Sequence, residues 1–211
     1  MKKQFLTAAA VFLSVYSYSQ TKGTSALNFG VSSFTSESKN VSPNSNQSYE
    51  NKGANFDLGY GLFVTDNNKV GIELLYNKST TEYQGFESSR KEKGVGIGLN
   101  FQHYFPLLKT FYAYAGAYGQ YVQTDGEERF EGGQIRDIDG YTASLSAVGG
   151  LTWFISRRWA LETNLISAGA AYSETKDDQS GTNDYSNKRT NFGLSSDGLI
   201  NNLGFRVYLM F

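Results

Sequence analysis

The sequence predicts an all-β fold, an eight-stranded antiparallel up-and-down transmembrane β-barrel with short periplasmic turns and long extracellular loops. Three observations predict it. Apolar residues recur at every second position in eight separate segments, which is the period of a strand with two unlike faces. The links between those segments alternate short and long, as the two ends of a membrane barrel require. Aromatic residues sit at the ends of the apolar faces, where membrane interfaces collect them.

The segments follow in order. Leu27, Phe29 and Val31 alternate with Asn28, Gly30 and Ser32. Phe56, Leu58, Tyr60 and Leu62 oppose Asn55, Asp57, Gly59 and Gly61, and Val70, Ile72, Leu74 and Tyr76 oppose Gly71, Glu73 and Asn77, with Leu75 breaking the polar side. Val95, Ile97, Leu99 and Phe101 oppose Gly94, Gly96, Gly98, Asn100 and Gln102. Smaller residues then form the apolar face: Phe111, Ala113, Ala115, Ala117 and Tyr121, followed by Tyr141, Ala143, Leu145, Ala147, Leu151, Trp153 and Ile155. Trp159, Leu161 and Leu165 oppose Glu162 and Asn164, and the last segment places Leu203, Phe205, Val207, Leu209 and Phe211 on one face. Short links fall at Thr65–Lys69, Pro106–Lys109 and Ser156–Arg158; long polar ones fall at about 35–52, 81–93, 124–140 and 173–189. An even number of strands puts both chain ends on the periplasmic side.

Composition agrees. Of 211 residues, 15% are aromatic and 23 are Gly against 2 Pro, which suits strands and open turns better than helices. The first residues read as a secretory signal peptide over residues 1–19: Lys2 and Lys3, an apolar run from Phe5 to Tyr16, then Ser17-Tyr18-Ser19. Residues 20–211 are then the barrel domain. Without Lys2 and Lys3 the chain carries 17 basic and 20 acidic side chains, a net charge of −3. That balance, with no basic stripe, argues against a nucleic-acid partner. With no cysteine there is neither a disulfide framework nor a lipid-modified Cys.

Phe111 and Tyr121 bound one outward face, and a strand of that length tilted by about 40° spans roughly 25 Å, the height of an outer-membrane apolar band. Trp153 and Trp159 flank a short turn, so these four residues are the expected aromatic girdle. The same alternation directs Asp57, Glu73, Glu162 and Arg206 inward. Buried charges need partners, and the expected arrangement is an ion-pair network, with Glu162 and Arg206 paired across adjacent strands. Tyr104, Tyr112, Tyr114, Phe154 and Tyr208 are expected to fill much of the remaining lumen. His103, the single histidine, is expected at the periplasmic interface, since no Ser and acid can be matched to it. The acids Asp125, Glu127, Glu128, Glu131, Asp177, Asp178 and Asp184 lack calcium-loop spacing and read as solvated loop residues. Between Arg189 and Asn202 the apolar parity changes from even (Phe192, Leu194) to odd, which predicts a bulge near Asp197-Gly198 in one long final strand paired with residues after Ala171.

The final GFRVYLMF resembles the C-terminal recognition signal of bacterial outer-membrane barrels, with Gly204, Tyr208 and the terminal Phe211 carrying the likeness. The chain as a whole resembles the small barrels grouped as OmpA-like, OmpX-like and opacity-type surface proteins. That resemblance implies the outer membrane of a Gram-negative-type bacterium, reached by Sec export, with insertion by the barrel-assembly machinery and outer-membrane lipids as surroundings. It implies a monomer without catalytic, cofactor or metal sites: a non-enzymatic protein with a side-chain-filled lumen that supports envelope integrity or adhesion through its outer loops, toward a ligand the sequence does not name. The alternative is a narrow channel or carrier for small or apolar molecules.

Overall fold

A computed structural model describes residues 21–42, 45–84, 88–130, 132–178, 185–196 and 205–211. The expected signal peptide, Gly204, Glu131, Asp184 and the Asp197-Gly198 bulge lie outside these residues. The described chain contains nine strand segments: β1 (Ser25–Ser42), β2 (Ser45–Thr65), β3 (Asn68–Gln84), β4 (Ser88–Pro106), β5 (Phe111–Arg129), β6 (Ile135–Phe154), β7 (Trp159–Asp178), β8 (Tyr185–Ser195) and β9 (Phe205–Met210). Neighbours in sequence pair antiparallel from β1 to β7. The lower half of β7 then pairs with β9 and its upper half with β8, so these two segments share the eighth position. β9 closes the ring on β1 from Ala26↔Met210 to Val31↔Phe205.

The closing seam runs to the last residue. Phe211 and Ser25 exchange both backbone hydrogen bonds at 2.9 Å, and Met210 N–H donates to the Arg158 carbonyl at 2.7 Å. An outward aromatic at the chain end therefore caps the seam, and full closure leaves the lower barrel wall without an edge strand.

The faces divide as their alternation dictates. Leu58, Leu74, Val95, Leu99 and Leu145 are all exposed on the outside, whereas Tyr104, Phe154, Tyr208, Glu73 and Glu162 are buried inside. A soluble barrel has the opposite arrangement. A continuous apolar exterior of this size needs a cover, and only a bilayer covers every side of a closed barrel.

The first short link is tighter than expected. Residues 66–67 form the turn between β2 and β3, and Thr65 Oγ1 accepts from the Asn68 backbone (3.1 Å) and side-chain amides (2.7 Å). At the β6–β7 turn Ser156 Oγ accepts from the backbone N–H groups of Arg158 and Trp159 at 3.2 and 3.1 Å. The long polar links turn out to be mostly ladder. Thr35↔Lys52, Thr81↔Arg90, Thr124↔Gly140 and Ser173↔Arg189 are register partners, and pairing continues beyond each. At 21 residues β2 is about 70 Å long, far more than a tilted crossing of a roughly 25 Å band uses. The β5–β6 ribbon turns over Gly132 and Gly133, whose φ values of 95° and 81° suit glycine.

The parity change resides partly on β7. Gly149 faces Ile166 and Gly150 faces Asn164, leaving Leu165 as an extra residue. Outward positions on β7 are Trp159 and Leu161 below the bulge but Ile166 above it, so Leu165 does not continue the lower outward face as expected. Pairing with β8 begins at Ser167, earlier than residue 171, which brings Phe192 and Leu194 opposite Ala170 and Ala168. They stand 83% and 85% exposed and extend the apolar exterior over a stretch where β7 offers only small side chains.

Candidate functional site in the lumen

The lumen is filled in layers. At the turn end lies an aromatic plug of Phe63, Tyr104, Tyr112, Tyr114 and Phe154, packed with Ala26, Ala160, Tyr208 and Met210. Ring centroids are 5.6 Å apart for Phe63–Tyr104, 5.2 Å for Tyr112–Phe154 and 6.2 Å for Tyr104–Phe154, within the range of favourable aromatic pairs.

Above the plug the charges converge. Arg206 reaches Asp57 at 3.0 Å, Glu73 at 3.2 Å and Glu162 at 3.8 Å. Glu162 and Arg206 are also register partners on β7 and β9. Lys69, 1% exposed, donates to the Tyr208 hydroxyl at 2.7 Å and lies 4.0 Å from Glu162. Tyr208 passes the chain on, donating to Glu162 Oε1 at 2.9 Å. Glu162 further accepts from Gln102 (3.0 Å), Tyr104 (3.1 Å) and Thr152 (3.1 Å). Glu73 accepts from Asn100 at 2.9 Å, and Asp57 from Asn28 at 3.3 Å. Three carboxylates and two cations thus share one hydrogen-bonded layer. Every charge has a partner, the condition for holding such groups away from water.

Glycines make room for it. Gly59 and Gly98 are the register partners of Glu73 on either side, and Gly30 is the partner of Asp57. A Cβ at Gly59 would meet the side chains of Asn28 and Glu73. The Gly-rich inward faces are therefore the space into which the neighbouring strands' charged side chains fold.

On the loop side of the charged layer is a cavity of about 440 Å³, with Arg206 and Glu162 among its lining and Asn55, Tyr118, Gln120 and Val122 along its walls. The layer can hold strands together and block passage toward the turns. Lys69 donates to the Tyr208 hydroxyl, which in turn donates to Glu162, so the two charges share that partner.

Asp57, Glu73, Glu162 and Arg206 thus come together in one layer. Tyr208, read as part of the terminal signal, points inward and is a member of the network, whereas Phe211 is exposed outside. Phe111 and Trp153 are register partners whose rings stack at 5.9 Å; Tyr121 stacks on Tyr141 at 5.7 Å toward the other edge, and Trp159 is exposed beside its turn. His103 Nδ1 lies 2.7 Å from Asn68 Oδ1, with its ring edge-on to Phe105. Of the acids read as solvated, Glu128 lies 3.9 Å from Arg136 and Glu127 lies 3.8 Å from Arg129. Asp177 and Asp178 are in β7.

Lys69, Gln102 and Thr152 were not among the expected lumen charges and partners. The signal for Lys69 was its odd parity with Gly71 and Glu73, obscured because Asp66-Asn67-Asn68-Lys69 reads as one polar turn. The structure ends that turn at Asn67 and places Lys69 within β3.

Among solved structures the chain is similar to the outer membrane protein OprG from Pseudomonas aeruginosa, with 9% identity and a TM-score of 0.51 over 92% of this chain and 98% of that one. It is also similar to Neisserial surface protein A (14% identity, TM-score 0.43, 90% and 98% covered). A third is the translocator domain of the autotransporter NalP from Neisseria meningitidis (13%, 0.49), where 92% of this chain spans 65% of that one. The likeness to OprG shows the fold, an outer-membrane-type β-barrel. No curated protein matches the chain in sequence. The family model described as "Protein of unknown function (DUF3575)" matches residues 25–196, the whole span from β1 through β8, and the chain belongs to that family.

Proposed function

We propose that this protein is a non-enzymatic outer-membrane barrel with a sealed lumen, serving envelope integrity or adhesion through the ribbons and loops at its outer end. On this reading residues 1–19 direct Sec export and are removed. The barrel-assembly machinery then recognises the final strand, with Gly204, Tyr208 and Phe211 as its signal, and the product is a monomer held by outer-membrane lipids. Phe111, Tyr121, Trp153 and Trp159 anchor its two interfaces. It is an architecture of the same kind as the OmpA-like, OmpX-like and opacity-type barrels.

One observation carries the reading. The aromatic plug and the charged layer lie one above the other across the lumen, and an eight-stranded barrel is just wide enough for side chains to fill. Single-channel recording of the refolded mature chain in a planar bilayer tests it. A barrel that shows the heat-dependent gel mobility of a folded state is expected to give no conductance steps. Reproducible steps that shrink when Asp57 or Glu73 is neutralised would replace this reading with that of a narrow channel.

A further inference from the structure

One acceptor of the charged layer is left over, on a carboxylate that borders the cavity above it. The three carboxylates hold six oxygens, and five of them accept from protein donors. Glu73 Oε1 takes Asn100 and its Oε2 takes Arg206. Glu162 Oε1 takes Tyr208 and its Oε2 takes Thr152, among others. Asp57 Oδ2 takes both Arg206 and Asn28. Asp57 Oδ1 has no donor among the described residues. The Asp57 side chain is 20% exposed, and it lines the cavity of about 440 Å³.

The walls carry a matching surplus. Asn55 and Asn77 are register partners on β2 and β3, and Gln120 on β5 and Asn164 on β7 line the same chamber. Asn55 gives one amide hydrogen to Ser32 at 3.1 Å. Asn77, Gln120 and Asn164 spend no side-chain hydrogen bond on the protein among the described residues. A side-chain amide both donates and accepts, so these groups suit a ligand that does both at several points, as hydroxyls do. An anion would meet three carboxylates against two cations at the floor, and a cation would find Asp57 already bonded to Arg206. An apolar ligand would strand the amides away from water. Tyr114 and Tyr118 border the chamber as well, and its volume lies in the range of small-molecule sites.

We propose that this chamber binds a small neutral saccharide, a hexose or a disaccharide, that enters from the loop end. One hydroxyl donates to Asp57 Oδ1, and others pair with the amides of Asn77, Gln120 and Asn164. β2 runs on for ten residues beyond Asn55, about 33 Å of strand, so the site suits free solute rather than sugar tethered to a surface. The plug below makes the chamber blind, so the sugar is held and returned rather than passed. This inference rests on the sealed-lumen reading above.

Labelling of Gln120→Cys in vesicles by a charged, membrane-impermeant maleimide tests it, with glucose, galactose, mannose, maltose and lactose as probes. At least one of these is expected to slow labelling about tenfold when present at roughly ten times its Kd, the factor that occupancy sets. Glycerol, gluconate and choline at the same concentration are expected to leave the rate unchanged. Adding N77L/N164L removes two amides that the protein itself does not use. It is expected to weaken sugar binding about tenfold, as the loss of neutral hydrogen bonds allows, while the heat-shifted mobility of the folded barrel stays. Equal rates with and without every sugar overturn the proposal, as does equal protection by gluconate or choline, or protection that survives N77L/N164L. Single-channel recording of the parent barrel separates the two claims. Conductance steps remove the sealed-lumen reading whatever the sugars do, whereas a silent barrel without protection removes the site alone.

Discussion

Replacing Arg206 with methionine is expected to lower the unfolding free energy of the barrel by about 3–5 kcal/mol, the usual cost of leaving buried ionised partners uncompensated. Arg206 is the one cation within 4 Å of both Asp57 and Glu73 among the described residues, and it also touches Glu162. Glu73 is wholly buried and would keep only neutral partners such as Asn100. The position matters as much as the charge. Arg206 lies on β9, the segment that closes the ring, and its guanidinium ties that segment to β2, β3 and β7 at once. Arg206→Lys keeps the charge but not the planar fork that reaches several carboxylates, so an intermediate loss is expected. Denaturant titration of the folded, heat-shiftable band measures both. A methionine variant within about 0.5 kcal/mol of the parent, the range of ordinary surface substitutions, would mean that the network does not hold the seam.

The second large effect is expected at Lys69 and Glu162, and its signature is non-additivity. Either Lys69→Met or Glu162→Gln leaves a buried charge with a poorer set of partners, at a cost of about 3 kcal/mol or more. Glu162 would still have Arg206 at 3.8 Å when Lys69 is removed, so K69M is expected to be the milder of the two. In the K69M/E162Q double variant neither charge remains, and its loss is expected to fall short of the sum of the singles by about 2 kcal/mol. The same titration, run on all four proteins, reads the coupling. Strict additivity would mean that the 4.0 Å approach of the two charges is incidental.

These effects also mark what the chain discloses before it folds. Parity was legible strand by strand: Asp57, Glu73, Glu162 and Arg206 face inward because their neighbours at odd spacing are apolar. The Glu162–Arg206 pair was legible too, since it links adjacent strands. Arg206 with Asp57 and Glu73 was not, because that meeting depends on how the closed ring brings β9 toward β2 and β3 across the lumen. Alternation sets a side chain's face and says nothing of which strands confront each other. The bulge at Leu165 was hidden for a related reason. Its neighbours Asn164 and Ile166 fit either phase, and only pairing with Gly149 and Gly150 on β6 decides between them. The ribbons beyond the apolar band escaped notice because both their faces are polar, so their ladders continue without a hydrophobic period to announce them.

The barrel is turned outward, with its apolar face in lipid and a polar chamber inside. The absence of native cysteine makes single-cysteine labelling direct. In vesicles, cysteines at Val95 and Leu145, both 65% exposed on the exterior, are expected to resist a charged, membrane-impermeant maleimide, while one at Gln120, in the wall of the lumenal cavity, reacts readily. Equal reaction at all three positions would contradict the account, because the apolar exterior would then be facing water.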